Sequence, residues 1–476
     1  MTIHQQSTIQ TSAQEINRIF NLQKENQYKI GRTTAAERKA KLKKLHDAVL
    51  KYRSEIKEAL YQDYRKHPAE VDLAEIYPIV SQIKHARKNL SRWMSNHRVG
   101  TPLAMMGSSS YIKYEPKGVV LIIAPWNFPV QLTFSPLVLA IAAGNTAILK
   151  PSELTPHASA LMKKIIDEIF PEEEVALIEG SVETATHLLK LPFNHIYFTG
   201  SPEIGKIVMA AAAKNLSSVT LELGGKSPTI ILESANVDLA ARRIAWAKYM
   251  NNGQICIAPD YVLVHKSKKN EFVEKIKEYI QAFYTEDSAR EPSYCRIVNE
   301  KHLARVKVLF EDAVQKGAKV EVGGDFDDEQ NYLSPTVVTN VSNDSALMQE
   351  EIFGPILPVI EFSQVDEVIG EVNSREKPLA LYIYGKNKRQ INQILTDTRS
   401  GGACINHNGV HFFNLNLPFG GSNNSGIGKG NGVFGFQAFS NARGVLKQHI
   451  PNALDMLAPP FNDFKQKLIN LTIKYF

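Results

Sequence analysis

Residues 118–152 read GVVLIIAPWNFPVQLTFSPLVLAIAAGNTAILKPS. GVVLIIAP (118–125) is a short apolar run without charge, which predicts a strand buried on both faces. SPLVLAIAAG (135–144) predicts a helix that stops on Gly144, because glycine takes left-handed C-cap geometry at no steric cost. NTAILKPS (145–152) predicts the next strand. Downstream, TPHASALMKKIIDEIF (155–170) is amphipathic, with Thr155 as N-cap and Pro156 at the first helical position. VALIEG, SVETATHLLKL and HIYFTGS then repeat strand, helix, strand. A chain that alternates in this way builds a doubly wound parallel sheet.

A second alternating series begins near Ser227. SPTIILES and YVLVHKS predict strands, 269–285 a helix, LALYIYGK a strand, and a further helix runs from about Asn387 to the strand ACINHN. The expected class is therefore α/β, with two Rossmann-like doubly wound domains. Before them, residues 13–98 carry apolar side chains at helical spacing, such as Ile56, Leu60 and Tyr64, and predict helices. Residues 418–435 are rich in Gly, Asn and Ser and predict a loop. RGVLKQHI (443–450) predicts a late strand.

The segment FNDFKQKLINLTIKYF (461–476) predicts an amphipathic helix. Phe461, Phe464, Leu468, Leu471 and Tyr475 form its apolar stripe, widened by Ile469, Ile473 and Phe476. Three readings stay open: docking on the protein's own surface, contact with a membrane surface, or cover for a greasy substrate entrance.

The chain has 476 residues, enough for two or three domains, and is 43% hydrophobic and 22% charged, as in ordinary folded proteins. Its 55 basic and 49 acidic residues are interspersed, which excludes a nucleic-acid stripe. The run Arg38–Lys44 reads as a solvated helix face. Three cysteines without a CxxC pair argue against a disulfide framework or a structural zinc site, and no metal site is expected. The first 20 residues lack a basic n-region and an apolar h-region, so no signal peptide is expected. No apolar run is long enough to cross a membrane. The expectation is a cytoplasmic protein, with peripheral membrane contact through 461–476 left open.

Several residues carry chemistry. Cys256 lies in NNGQICIAPD, an irregular turn that can expose a thiol. A free cysteine is otherwise a small core residue, and one of pKa about 8.5 needs help to ionise at neutral pH. Glu222 lies in VTLELGGKSP, among apolar neighbours, where burial raises a carboxyl into the range of a general base. The plainer reading is a buried acid satisfied by backbone N–H groups. Gly224 and Gly225 permit close approach of backbone to a ligand. Asn127 in APWNFPV can donate to an oxygen where negative charge develops, or be a simple turn residue. Lys150 and Glu153 in LKPSELTP stand at a strand end, where open α/β sheets bind ligands; they suit ribose hydroxyls or a surface ion pair. FTGSPEIG opens a helix with Ser201 as N-cap and can face a pyrophosphate, although it keeps only Gly200 and Gly205 of the GxGxxG pattern. Glu351 and Phe353 in QEEIFGPILPV share a face and suit a ribose and a flat ring, or an ordinary strand edge.

Together these signals resemble the aldehyde dehydrogenase superfamily. PWNFP, KPSE, FTGS, LELGGKSP, GQIC, EEIFGP and PFGGSNNSG follow the family order from about Thr33 to Ile450. LELGGKSP, RRIAW, APDY, MQEEIFGP and REKPLALY look closest to the class 3 type, which acts on fatty and aromatic aldehydes. The resemblance implies that Cys256 is the nucleophile and Glu222 the base that activates water. It implies an oxyanion hole of Asn127 and the Cys256 N–H. Lys150, Glu351 and Phe353 would position the cofactor, with Ser201 at the pyrophosphate and Glu153 and Trp126 along the cleft. Ile255 and Trp246 would line the substrate pocket. The implied organisation is 1–110 and 118–222 for the cofactor, 223–420 for catalysis, 111–117 and 430–453 for oligomerisation, and 454–476 as tail. A homodimer is expected, because the chain starts only a short way before the matched region.

Two departures stand out. Ile255 replaces the small polar residue common before the nucleophile, which makes the pocket floor more apolar. PWNFP replaces the tyrosine-containing form usual in class 3. NAD is favoured over NADP, since Glu153 would repel a 2′-phosphate. The alternatives are an acyl-transferring enzyme that uses coenzyme A, in which the general-base glutamate is typically absent, and a non-catalytic scaffold protein, which would have lost the nucleophile.

Overall fold

The computed structural model describes residues 10–450 and 453–475. Val119–Ile123 and Thr146–Lys150 are strands in which every residue is buried, and the apolar helix Pro129–Ala143 joins them. Gly144 ends that helix at φ 91°, in the left-handed region. Each fully buried Val, Leu or Ile contributes about 1.5–3 kcal/mol, so this unit anchors the first sheet.

That sheet has six strands in the order Gly426–Ile427, Ser218–Leu223, His195–Gly200, Val119–Ile123, Thr146–Lys150, Val175–Leu177. All neighbours are parallel except Gly426–Ile427 against Ser218–Leu223. Chain order reverses between Val119–Ile123 and His195–Gly200, which opens a ligand crevice at their carboxyl ends. The second sheet has seven strands in the order Lys319–Val322, Thr336–Thr339, Ile356–Phe362, Tyr261–His265, Pro228–Ile231, Ala380–Tyr384, Gly402–Ile405, antiparallel only at Lys319–Val322. A separate three-stranded sheet pairs His97–Val99, Ser108–Pro116 and Ser440–Gln448. The α/β class with two doubly wound sheets is the architecture found.

The N-terminal region is helical, as its periodicity predicts: Ala13–Gly31, Ala35–Lys51, Arg53–Tyr64 and Tyr77–Trp93. Pro68–Val71 runs through a π-turn, Asp72–Ile76, into the last of these.

Thr155 stands at the N-cap of Pro156–Ile169 as expected, although its hydroxyl makes no capping hydrogen bond. Two local expectations need correction. Residues 418–435 are not all loop, because Gly426–Ile427 pairs with Ser218–Leu223 and a helix starts at Gly432. The Arg38–Lys44 run is not a uniformly solvated face. Arg38 is buried, donating to the carbonyls of Ala142 and Gly31 at 3.0 Å each, and burial pushes it down to about 10. It serves open carbonyls at the ends of two helices, Pro129–Ala143 and Ala13–Gly31. The tail forms the helix Asp463–Tyr475, as its periodicity predicts; none of its residues is buried, and Phe464, Leu471 and Ile473 are exposed. The strand Ser440–Gln448 that precedes it is largely exposed. Phe476 and residues 1–9 lie outside the described residues. Among the described residues no helix is long and apolar enough to cross a membrane.

Candidate active site

The helix Val237–Tyr249 ends in a turn where Asn251, Asn252 and Gly253 all take left-handed backbone (φ 51°, 56° and 72°). A side chain at Gly253 would meet the Gly354 carbonyl oxygen at 2.3 Å. Gln254 ties the turn to a neighbouring strand-like segment: its amide donates to the Arg296 carbonyl at 3.1 Å and its Oε1 accepts the Val298 N–H at 3.0 Å. Cys256 follows, partly exposed and a free thiol. Desolvation and the charges of Glu351 and Glu222 push its thiol well above the usual range, against the N–H groups of Cys256 and Ile257.

Asn127 is buried just past Val119–Ile123, at the crevice. Its side-chain amide donates to the Gln254 carbonyl at 2.9 Å. An amide carries two N–H donors, so one holds the plane toward the Cys256 loop and the other stays available. The main-chain carbonyl of Asn127 accepts from Tyr64 at 3.0 Å, Lys66 at 3.2 Å and the Asn251 amide at 3.0 Å.

Glu222 sits in the strand Ser218–Leu223 and is buried. Tyr197 donates to Oε1 at 3.4 Å, while Oε2 is buried and has no partner. Burial pushes this carboxyl up to about 8, opposed by the Lys429 charge, the Tyr197 hydroxyl and the Gly430 N–H. Lys429 is itself held by the carbonyls of Gly420 and Gly421.

Around the crevice, buried Lys150 donates to Glu153 at 2.8 Å and to the Pro151 carbonyl at 2.9 Å. Ser201 caps the helix Pro202–Ala213, with its hydroxyl accepting from Ile204 N at 3.5 Å. Gly200 packs against the Phe198 ring and Gly205 against Leu223, where a Cβ would stand 2.4 and 2.7 Å away. Thr199, one residue before Gly200, has a buried hydroxyl without a partner. Glu351 lies over Gly224, and burial and Asp260 push its carboxyl up to about 8. Phe353 has φ 47° and meets Trp126 edge-on at 5.4 Å. Lys150 and Gly200 stand at the carboxyl ends of the strands on either side of Val119–Ile123, and these groups have the chemistry to hold a dinucleotide.

Ile255 is buried with Phe128, Ala258 and Ala74 in one apolar cluster, joined by Leu132, Met250 and Ile257. Trp246 stands apart, in a groove of about 450 Å³ lined by Leu239, Arg242, Arg243, Phe283 and His407. The structure does not bring it into that cluster.

Sequence reasoning missed Lys66, Glu75, Tyr64, Asn251, Gln254 and Lys429. One signal was available: Glu75 falls four residues before Ile79 on the buried stripe that continues through Ile83. An acid on an apolar face asks for a buried partner.

The model of the aldehyde dehydrogenase family matches residues 4–445, and the chain belongs to that family of oxidoreductases, which uses NAD(P). Among its relatives, aldehyde dehydrogenase family 3 member A2 of Mus musculus is 44% identical over 405 residues, 85% of this chain and 83% of the relative. The dimeric NADP-preferring aldehyde dehydrogenase of Mus musculus is 43% identical, over 83% and 86%. Of solved structures, the substrate-bound state of Staphylococcus aureus AldH superposes with TM-score 0.92 at 40% identity, over 96% and 99% of the two chains. A Mycobacterium tuberculosis aldehyde dehydrogenase complexed with NAD+ superposes with TM-score 0.84 at 26% identity, over 93% and 92%. The chain is thus similar to class 3 members and acts in aldehyde oxidation.

Proposed function

We propose that the chain oxidises an apolar aldehyde, medium- or long-chain or aromatic, to its carboxylic acid, with Cys256 as nucleophile and Glu222 as general base. The observation that carries this reading is the buried, unpartnered Glu222 Oε2. A buried acceptor left open suits a water to be activated.

The Cys256 thiolate attacks the aldehyde carbon and forms a thiohemiacetal. The free N–H of the Asn127 amide and the Cys256 N–H take the oxyanion. Bound NAD(P) supplies the hydride acceptor, and its pyridinium charge favours the thiolate. The thioester left on Cys256 is hydrolysed by water that gives its proton to Glu222. Asn127 and the turn around Asn251 keep the two loops in register through these steps.

The residues around the crevice fit a dinucleotide. The orphaned Thr199 hydroxyl and the Ser201 helix N-terminus suit a pyrophosphate. Lys150, Glu153 and Glu351 suit ribose hydroxyls, and Gly224, Phe353 and Trp126 the flat ring. Glu153 favours NAD, with NADP accepted less well. Ile255 makes the pocket floor apolar, which supports the substrate class.

A homodimer belongs to the same reading. The nine-residue strand Ser440–Gln448 leaves one edge unpaired, and such edges invite a second copy. The exposed stripe of Asp463–Tyr475, farther along the chain, suits the same partner. The segments 111–117 and 430–453 would then be the oligomerisation part, 1–110 with 118–222 the cofactor part, and 223–420 the catalytic part.

The test compares the parent with Cys256→Ala and Glu222→Gln on an aldehyde panel with NAD and NADP. Cys256→Ala should form no NADH. Glu222→Gln should release about one equivalent of NADH per site and then stall as the thioester. Equal turnover by Cys256→Ala and the parent would sink the proposal.

A further inference from the structure

We propose that the buried Lys66–Glu75 pair is a positioning device for the Asn127 amide, an inference that rests on Asn127 being the oxyanion donor.

Both side chains are fully buried, with Lys66 Nζ 3.1 Å from Glu75 Oε1. Lys66 also donates to the Asn127 carbonyl at 3.2 Å and stands 4.1 Å from the centroid of the Phe128 ring and 5.2 Å from that of Tyr64. Glu75 holds the other end of the same segment. Its Oε2 accepts the Gln131 N–H at 2.8 Å, and the Val130 N–H also reaches its carboxylate. These are open donors in the first turn of Pro129–Ala143, where Phe128 stands at the N-cap and offers no capping hydrogen bond. A carboxylate from a distant helix thus does the work of a cap, favoured by the helix dipole.

Asn127 is therefore fixed from both sides. Ahead of it in space stands a helix end locked by Glu75; on its carbonyl converge Lys66, Tyr64 and Asn251. The Asn251 amide also donates to the Gln254 carbonyl at 3.1 Å, the same oxygen that receives the Asn127 side chain. Glu70 completes the frame by accepting the Asn251 N–H at 3.0 Å. Glu75 itself lies in the π-turn Asp72–Ile76, a wider turn of a kind that often marks functional sites.

Stability alone does not account for such a pair. Removing two charges from water costs several kcal/mol per ion, and apolar replacements of buried pairs are often equally stable. What an apolar pair would not supply is a donor on the Asn127 carbonyl and an acceptor for the helix end. Displacing a catalytic donor by about 1 Å can slow a reaction on the order of 100-fold.

The experiment is a mutant cycle on the full chain. Lys66→Met/Glu75→Gln keeps side-chain volume and leaves no lone buried charge. It is combined with Asn127→Ala, and the hydride-transfer rate is read from the single-turnover burst, with the aldehyde KM beside it. The pair variant should fold, slow hydride transfer by about 10- to 100-fold and leave KM within about twofold. Asn127→Ala should cost about 100- to 1,000-fold in the parent but only about threefold more in the pair variant, because the two act as one unit. Equal factors in both backgrounds, or a folded pair variant at parental rate, overturn the inference. If Asn127→Ala costs the parent nothing, the oxyanion reading falls first and the inference with it. Should the pair variant not fold, Tyr64→Phe removes one donor without touching charge. It should slow hydride transfer by about three- to tenfold, and parental speed overturns the proposal.

Discussion

Gly224 and Glu351 meet so closely that a methyl group on Gly224 would stand 2.0 Å from Glu351 Oε2. The clash is with the tip of a flexible side chain, so Glu351 can swing aside and the fold can persist. Gly224→Ala should therefore unfold within about 1 kcal/mol of the parent. If Glu351 grips a cofactor ribose, the dissociation constant for NAD should rise about tenfold, or about 1.4 kcal/mol. Titration calorimetry reads the affinity, and unchanged binding would remove Glu351 from the cofactor site.

Gly253 offers the opposite case. Its φ of 72° is left-handed, and a Cβ would strike the backbone carbonyl of Gly354 at 2.3 Å. Backbone cannot swing aside. Gly253→Ala should lose about 2–4 kcal/mol in a denaturant titration and most of the activity, because Cys256 lies three residues on. Parental stability would show that the turn is softer than described.

The pH profile follows from Glu222. Burial holds its carboxyl at about 8, so the carboxylate needed to deprotonate water grows as pH rises toward that value. Under conditions where thioester hydrolysis limits turnover, kcat should climb about tenfold per pH unit below 8 and flatten above it. A flat profile from pH 6 to 9 would count against Glu222 as the base.

Stability should move the other way. Glu222 and Glu351, both near 8, and Glu70, near 7, lie above their usual 4.5, so the folded chain holds protons that the unfolded chain releases. Their contribution is fully present below pH 4.5 and is lost as pH rises through 7 to 8. Tm should fall between pH 5 and 8 and level off above 8, and Glu351→Gln should flatten that fall. An unchanged slope would mean that Glu351 does not titrate in this range.

The tail yields a comparison of substrates. Asp463–Tyr475 exposes its apolar stripe, as does Phe461 before it. Deleting 461–476 should change kcat/KM on long-chain aldehydes about tenfold more than on short ones and weaken self-association in sedimentation. Binding of the parent, but not the deletion, to anionic vesicles would assign the stripe to a membrane instead.

Both doubly wound sheets were legible because buried parallel strands leave uninterrupted apolar runs such as VVLII and AILK. Their order was not, since strand adjacency depends on contacts remote in sequence. Cys256, Glu222 and Asn127 could be singled out as candidates because each sits beside turn-forming residues in a short motif. Lys66 was not, because it stands in the short connection between the helices Arg53–Tyr64 and Pro68–Val71, where a lysine reads as exposed loop. Only the 3.2 Å contact with the Asn127 carbonyl, across 61 positions, gives it meaning. The tail helix was legible but its partner was not, for a related reason: amphipathicity shows that a face wants cover without saying which surface supplies it.

Asn127 belongs to a loop of the six-stranded sheet, and Asn251 and Gln254 to a loop of the seven-stranded one. The hydrogen bonds joining them are thus a seam between the two sheets. Catalysis then becomes a gauge of how well the sheets are mated. If dilute denaturant parts that seam first, turnover should vanish before circular dichroism registers any loss.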